Sequence, residues 1–381
     1  MGVGWRVRSE GRAWLALARW LGPWASEEKA PAGGRREETV DIGEGRTPTR
    51  LWIYEPRSRP RGIYLVAPGL NFAGPSDPRA DRFSRILAHA GFLVFAPFVE
   101  DYERMLLQPR AMEDFKRIFR CVMMRSPAGL PPPTVFSISF GSIIALALAG
   151  DPDLGPQVGK LLIFGGYRDW GDTLQFAMTG EVGGERRRGH DPLNLPVIMM
   201  HVLYTLPVDP VARRELATRW RAFCRETWGR PEMEANGAAH PTALRLADGL
   251  APPDRLLFLK GCGVEPGARA MVRTALATTD FSFLDPSPHL AGIRAPVYLV
   301  HGREDKVIPY EQSVALWEAM PEAARARLYL TGLYGHTRTE RRGIWTGIKG
   351  LGGEMRTLAR ILSALALSRS VETRIRTGFS D

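Results

Sequence analysis

The chain has 381 residues, 44% hydrophobic and 24% charged, so it carries enough apolar material for a large buried core and falls outside the disordered class. No apolar run approaches the ~18 residues that a membrane-spanning helix needs. The formal charge of +10 comes from arginines scattered along the chain, with six lysines among the 51 basic residues; the run Arg186-Arg187-Arg188 reads as a solvated loop, and no nucleic-acid partner is expected.

Cys121, Cys224 and Cys262 lie far apart without C-x-x-C spacing, which points to a reducing, cytoplasmic compartment and away from a zinc or disulfide framework. Residues 1–36 read as an amphipathic helix followed by a polar, Pro/Gly-bearing linker. Trp14, Leu17, Ala18, Leu21 and Trp24 fall at helical spacing, with Arg8, Arg12 and Arg19 among them. Arg19 interrupts the apolar stretch, so a signal peptide is not expected. Basic residues interleaved with tryptophans suit peripheral contact with a membrane, and packing on the body of the protein is the expected alternative.

The first part of an α/β core is expected over 37–166. Two strand-like segments near 37–42 and 49–55, separated by Gly43-Glu44-Gly45, suit an antiparallel hairpin. Buried strands then alternate with helices: an apolar run at 63–67, an amphipathic helix over 78–90, a strand at 92–96, a helix from Pro109 to about Met124, a strand ending at Ser139, and another strand at 160–164. Such alternation predicts a mostly parallel sheet with helices on both faces. The rhythm breaks between Tyr167 and Leu290, where helical stretches such as 209–228 and 268–278 form an insertion too long for a loop. It resumes over 291–381 with a strand at 296–300, a helix near 310–319, a strand at 327–331 and a helical segment from 343 to 369, with an interruption expected at Gly350–Gly353.

The stretch from Pro133 to Gly150 changes hydrophobic period at Ser139, which places that serine at a strand-to-helix corner. A corner this sharp needs small residues two positions either side, and Ser137 and Gly141 stand there. It would lift the hydroxyl clear of the sheet at a helix N-terminus, whose N–H groups favour developing negative charge. A serine mechanism further requires a base and a carboxylate to orient it. Downstream, His301-Gly302-Arg303-Glu304-Asp305 follows one strand, and His336 lies in the Gly-rich loop Thr331–His336 after the last strand.

These motifs resemble those of the α/β-hydrolase superfamily: the G-x-S-x-G elbow, with Ser137 where glycine is usual, the H-G-x-x-D acid loop, and the chain order Ser139, Asp305, His336. The resemblance covers roughly 37–166 and 291–369. It implies an α/β-hydrolase fold with a mainly helical cap at 167–290. It also implies a catalytic triad of Ser139, Asp305 and His336, with Glu304 a weaker substitute for the acid. The expected oxyanion donors are the backbone N–H groups of Phe140 and Leu70, with Asn71 the runner-up for the second. The implied activity is that of a serine hydrolase acting on a small-molecule carboxylic ester or thioester with an apolar group. An acyltransferase would share every catalytic residue, and a non-catalytic binding protein is the reading from another class. The P-loop, G-x-G-x-x-G and H-E-x-x-H patterns all fail, so no cofactor and no metal are expected. The sequence does not address oligomeric state.

Overall fold

The computed structural model describes residues 3–43, 45–186, 190–333 and 348–368. In chain order the elements are α1 (Val3–Leu21), β1 (Arg35–Val40), β2 (Thr49–Tyr54), β3 (Ile63–Ala67), α2 (Pro78–His89), β4 (Leu93–Pro97), α3 (Glu100–Glu103), α4 (Arg110–Arg125), β5 (Thr134–Ile138), α5 (Gly141–Ala149) and β6 (Lys160–Phe164). The insertion follows, with α6 (Trp170–Thr179), a small hairpin of β7 (Glu181–Val182) and β8 (Glu185–Arg186), then α7 (Leu195–Val202), α8 (Pro210–Thr227), α9 (His240–Leu246), α10 (Pro252–Gly261), α11 (Ala268–Thr278) and α12 (Ser287–Leu290). The chain then returns to the core with β9 (Val297–Gly302), α13 (Tyr310–Ala319), β10 (Arg325–Thr331) and α14 (Ile348–Ala366).

Among the described residues, eight strands form one sheet in the order β1-β2-β4-β3-β5-β6-β9-β10. The expected hairpin is β1 against β2, with Arg35 opposite Tyr54 and Val40 opposite Thr49. β2 is antiparallel to β4, and every pairing from β4 to β10 is parallel. The central strands read as unbroken apolar runs because helices cover both faces: Val135, Leu161 and Ile163 face one side and Tyr64, Val94 and Leu162 the other, all fully buried. α4, α5 and the inserted helices pack on the first face, and α1, α2 and α14 on the second. Among the described residues of the insertion, the strands are β7 and β8, which pair with each other and not with the main sheet, and the rest is mainly helical.

Two buried polar side chains on the strands fix the end of α14. Lys160 Nζ donates to the carbonyls of Ala364 and Leu367, both at 2.5 Å, and Tyr64 Oη donates to that of Leu365 at 2.6 Å. Burial pushes the Lys160 pKa down to about 7, while the carbonyls it meets are the unpaired ones of a helix C-terminus, which suit an ammonium. α14 is continuous through Gly350–Gly353, contrary to the expected interruption. The glycines cost it about 1 kcal/mol each in propensity, and the buried stripe of Leu358, Ile361, Leu362 and Leu365 holds the helix regardless. Residues 343–347 of that expected segment lie outside the described residues.

α1 packs on the second face. Ala13, Leu17 and Ala18 are buried, and Trp14 Nε1 donates to the carbonyl of Ala359 in α14 at 3.2 Å. Arg82 of α2 holds the end of α1 and the chain after it, donating from Nη2 to the carbonyls of Trp20 at 2.5 Å and Ser26 at 2.9 Å. Leu15 and Trp24 stay exposed. Among the described residues no helix is long and apolar enough to cross a membrane. Leu17 is fully buried, so Leu17→Ala is expected to lower unfolding stability by about 2–5 kcal/mol, read by urea denaturation; a loss under ~0.5 kcal/mol would mean that α1 is not part of the cooperative core.

Candidate active site

Ser139 stands one residue after β5 and two before α5, with φ at +53°. Serine occupies this left-handed region only when its surroundings compel it. Here its N–H donates to the carbonyl of Phe164 in β6 at 2.7 Å, which ties the corner to the neighbouring strand. Gly141 allows the first turn of α5 to sit on the end of β3: a Cβ there would lie 2.4 Å from the carbonyl oxygen of Pro68 and 2.7 Å from that of Ala67. Ser137, at the other small-residue position, is wholly buried, and its Oγ has no hydrogen-bond partner. The corner is therefore the expected elbow, with glycine obligatory after the serine and only smallness required before it.

The loop after β3 lies against this corner. A Cβ on Gly69 would be 3.5 Å from Ser139 Cβ and 3.3 Å from the carbonyl oxygen of Ile138. Among the described residues, the N–H groups of Leu70 and Phe140 make no hydrogen bond within the protein, so both are available to a ligand oxygen. The Asn71 side chain shapes the loop, its Oδ1 accepting from the N–H of Ala73 at 2.7 Å and its Nδ2 donating to Asp77 at 3.0 Å, while among the described residues its own N–H, like that of Leu70, makes no hydrogen bond within the protein. Tyr102, which no sequence motif marks, donates its hydroxyl to the carbonyl of Phe140 at 3.1 Å, and burial raises its pKa so that it remains a donor.

Asp305 is buried in the loop that follows β9, and its neighbour Glu304 is exposed. Asp305 Oδ1 accepts from the N–H groups of Val307 at 2.8 Å and Ile308 at 2.9 Å, leaving Oδ2 as the oxygen that faces other groups. His301 braces the loop from within the sheet: its Nε2 donates to the carbonyl of Ile308 at 2.9 Å and lies 3.3 Å from Asp305 Oδ2. Its Nδ1 meets Ser313 Oγ at 2.7 Å, and that hydroxyl donates to the carbonyl of Gly166. The signal for His301 was in the sequence, as the histidine that opens the acid loop. His336 lies outside the described residues. The chain leading to it is held by Glu354 of α14, which accepts from the Thr331 hydroxyl at 2.7 Å and the Gly332 N–H at 3.2 Å.

A cavity of about 400 Å³ opens at Ser139, lined on the core side by Gly69, Leu70, Asn71 and Phe140 and on the cap side by Trp170, Leu174, Val197 and His201. Phe140 packs edge-on against Tyr167 and Trp170, so an aromatic cluster joins the elbow to the start of the cap. The cap is also tied to the acid loop: the Asp191 N–H donates to the carbonyl of Lys306 at 3.0 Å, and Lys306 Nζ pairs with Glu234 at 2.8 Å. A third tie is His201, whose Nδ1 donates to its own helix at the Val197 carbonyl and whose Nε2 accepts from the N–H of Leu107 in the core, both at 2.8 Å. This bonding fixes the neutral tautomer, and burial lowers the His201 pKa in the same sense. Among the described residues no group of His, Cys, Asp and Glu is placed to hold a metal ion.

The sheet order and the sharp turn at Ser139 between β5 and α5 are those of the α/β-hydrolase fold. No protein-family model matches the sequence, and no curated protein matches it. Among solved structures, the chain is similar to an acylaminoacyl peptidase from Pyrococcus horikoshii at 12% identity and TM-score 0.42, covering 89% of this chain and 41% of that one. It is similar to 2,6-dihydroxy-pseudo-oxynicotine hydrolase at 15% identity and TM-score 0.46, covering 89% and 69%. A thermostable carboxyl esterase from Bacillus coagulans gives 17% identity and TM-score 0.43, covering 87% and 100%. These identities are too low to carry an activity or a substrate across.

Gly141→Ala should lower stability by about 1–3 kcal/mol and any turnover by on the order of 10²-fold, because the methyl group meets backbone that cannot yield. Ser137→Ala should instead be neutral or stabilising by up to about 1 kcal/mol, since it removes a buried hydroxyl without a partner; denaturation curves of the two variants check both. For His201 the sign is fixed by its lowered pKa: below the ordinary value near 6.5 the unfolded chain takes up a proton that the folded protein resists. Stability should therefore be fully present above about pH 6.5 and fall as the pH drops toward the folded value. His201→Asn should show a shallower fall than the parent in urea titrations across that window, and identical slopes would remove His201 as the source.

Proposed function

We propose that the protein is a serine hydrolase that cleaves a carboxylic ester or thioester through an acyl-enzyme intermediate. The observation that carries this reading is Ser139 at φ +53° on a constrained elbow, facing a largely apolar cavity and flanked by two uncommitted backbone N–H groups. A serine that only capped a helix would not need that conformation.

In the proposed reaction, Ser139 Oγ attacks the substrate carbonyl and its proton passes to His336. The carbonyl oxygen becomes an oxyanion, received by the N–H groups of Phe140 and Leu70 and favoured by the positive end of α5. Collapse breaks the bond to the alcohol or thiol, which takes the proton from His336, and leaves the acyl group on Ser139. Water then repeats the sequence, its proton going to His336 and back to Ser139 as the acid departs. Asp305 holds His336 in the productive tautomer through Oδ2, since its Oδ1 is committed to the acid loop's own backbone. The cap encloses an apolar group of the substrate and excludes water from the oxyanion.

Ser139→Ala and His336→Ala are each expected to lower kcat for p-nitrophenyl acetate by on the order of 10⁴-fold or more with unfolding stability nearly unchanged. Asp305→Asn should be almost as damaging, because the amide favours the wrong imidazole tautomer, whereas Glu304→Gln on the exposed neighbour should leave kcat within about twofold. Retained activity in His336→Ala would assign the base elsewhere.

A further inference from the structure

The cavity at Ser139 has a second lobe that does not lie under the cap. It runs between the sheet and the helices of the second face. Its floor is Val66 of β3, Ile138 of β5 and Phe164 of β6, its roof includes Leu362 of α14, and its inner end is closed where Phe83 of α2 packs on Phe136 of β5 with ring centroids 4.5 Å apart. The floor residues share one face by register, Val66 opposite Phe136 and Ile138 opposite Phe164. On that same face Tyr64, Val94 and Leu162 are fully buried, yet Val66, Ile138 and Phe164 are only half-buried although they lie in the middle of the sheet. The opening is thus confined to the C-terminal ends of the three central strands, beside the serine. Protein interiors close such voids, and the cost of leaving one empty grows with its volume, so an apolar hollow at this position is unlike ordinary core packing.

We propose that this inner lobe holds a straight aliphatic acyl chain of the substrate, which makes the enzyme selective for medium- and long-chain acyl esters. The inference rests on the serine-hydrolase reading and adds the substrate class to it. The floor and roof offer no charged group. Of the arginines at the border, Arg79 is engaged by Asp77, and Arg82 by the carbonyls of Trp20 and Ser26, so the lobe selects by shape and apolar contact rather than by a charged headgroup. The acyl group is the part that stays bonded to Ser139 through both half-reactions, which matches a lobe floored by the rigid sheet. The alcohol must leave after the first, which matches the lobe beneath the cap. α1 gains a role in this arrangement, because Leu21 contributes to the wall and the helix closes the lobe from outside.

The test is the chain-length profile of p-nitrophenyl acetate, octanoate and dodecanoate, measured as kcat/KM for the parent and for two lobe-filling variants, Val66→Phe and Leu365→Trp. Parallel folding is checked by denaturation. The parent should prefer the longer chains, and filling the lobe should lower the dodecanoate-to-acetate ratio at least tenfold in whichever variant folds. An unchanged ratio in a folded variant overturns the acyl site, as does a profile that shifts for octyl acetate against methyl acetate instead. A second readout does not need turnover: Ser139→Ala should bind a fluorescent fatty acid that dodecanoate displaces, more weakly after Val66→Phe. If the parent hydrolyses none of these esters while dodecanoate still displaces the probe in a lobe-dependent way, the lobe stands and the hydrolase reading falls. Hydrolysis without lobe-dependent displacement or selectivity leaves the hydrolase reading standing and overturns the lobe.

Discussion

The contact on which the molecule depends is the one between α5 and the end of β3, where Gly141 rests against the carbonyls of Ala67 and Pro68. No other residue fits there, and because α5 begins so close to the sheet, the chain between it and β5 has to turn through a left-handed residue at Ser139. The strain of that turn is borne by a fully buried helix and by the hydrogen bond from Ser139 to β6. The same approach brings the Pro68–Asn71 loop beside the serine, so Ser139 and the backbone N–H groups around it are positioned by a single packing event.

Around that contact, the remaining ties lead to one place. Tyr102 secures the Phe140 carbonyl, His301 braces the loop after β9 from below, and Glu354 holds Thr331 at the end of β10. The cap is joined to the acid loop through Asp191 and Lys306 and to the core through His201, so a displacement of the cap would be felt at Asp305 and at Leu107. Met105, just before that core contact, is the other non-glycine residue among those described with positive φ, at 61°, and it is fully buried.

The fold was legible wherever a strand or helix announces itself by its own pattern. The continuous run Ile63–Ala67, the change of period at Ser139 and the small residues around it each follow from local sterics that a single sequence carries. The loop after β9 was legible because its residues are adjacent in the chain, and the motif spacing singles out Asp305, which the fold buries. What the sequence did not disclose depends on residues brought together from afar. Tyr102 reaches across 38 positions to Phe140, and Leu107 meets His201 across 94. The inner lobe arises where side chains from three strands, α2 and α14 fail to fill a shared space, which no periodicity encodes. The glycines at Gly350–Gly353 misled in the opposite direction, because tertiary burial further along α14 overrides their weak helix propensity.

The central claim is that the elbow presents an activated serine, and covalent labelling of the native protein with a small fluorophosphonate tests it most directly, with the adduct located by peptide mass spectrometry. A single adduct is expected, on Ser139, and it should disappear when the protein is unfolded beforehand. Absence of that adduct in folded protein, or its appearance on another serine, would contradict the claim.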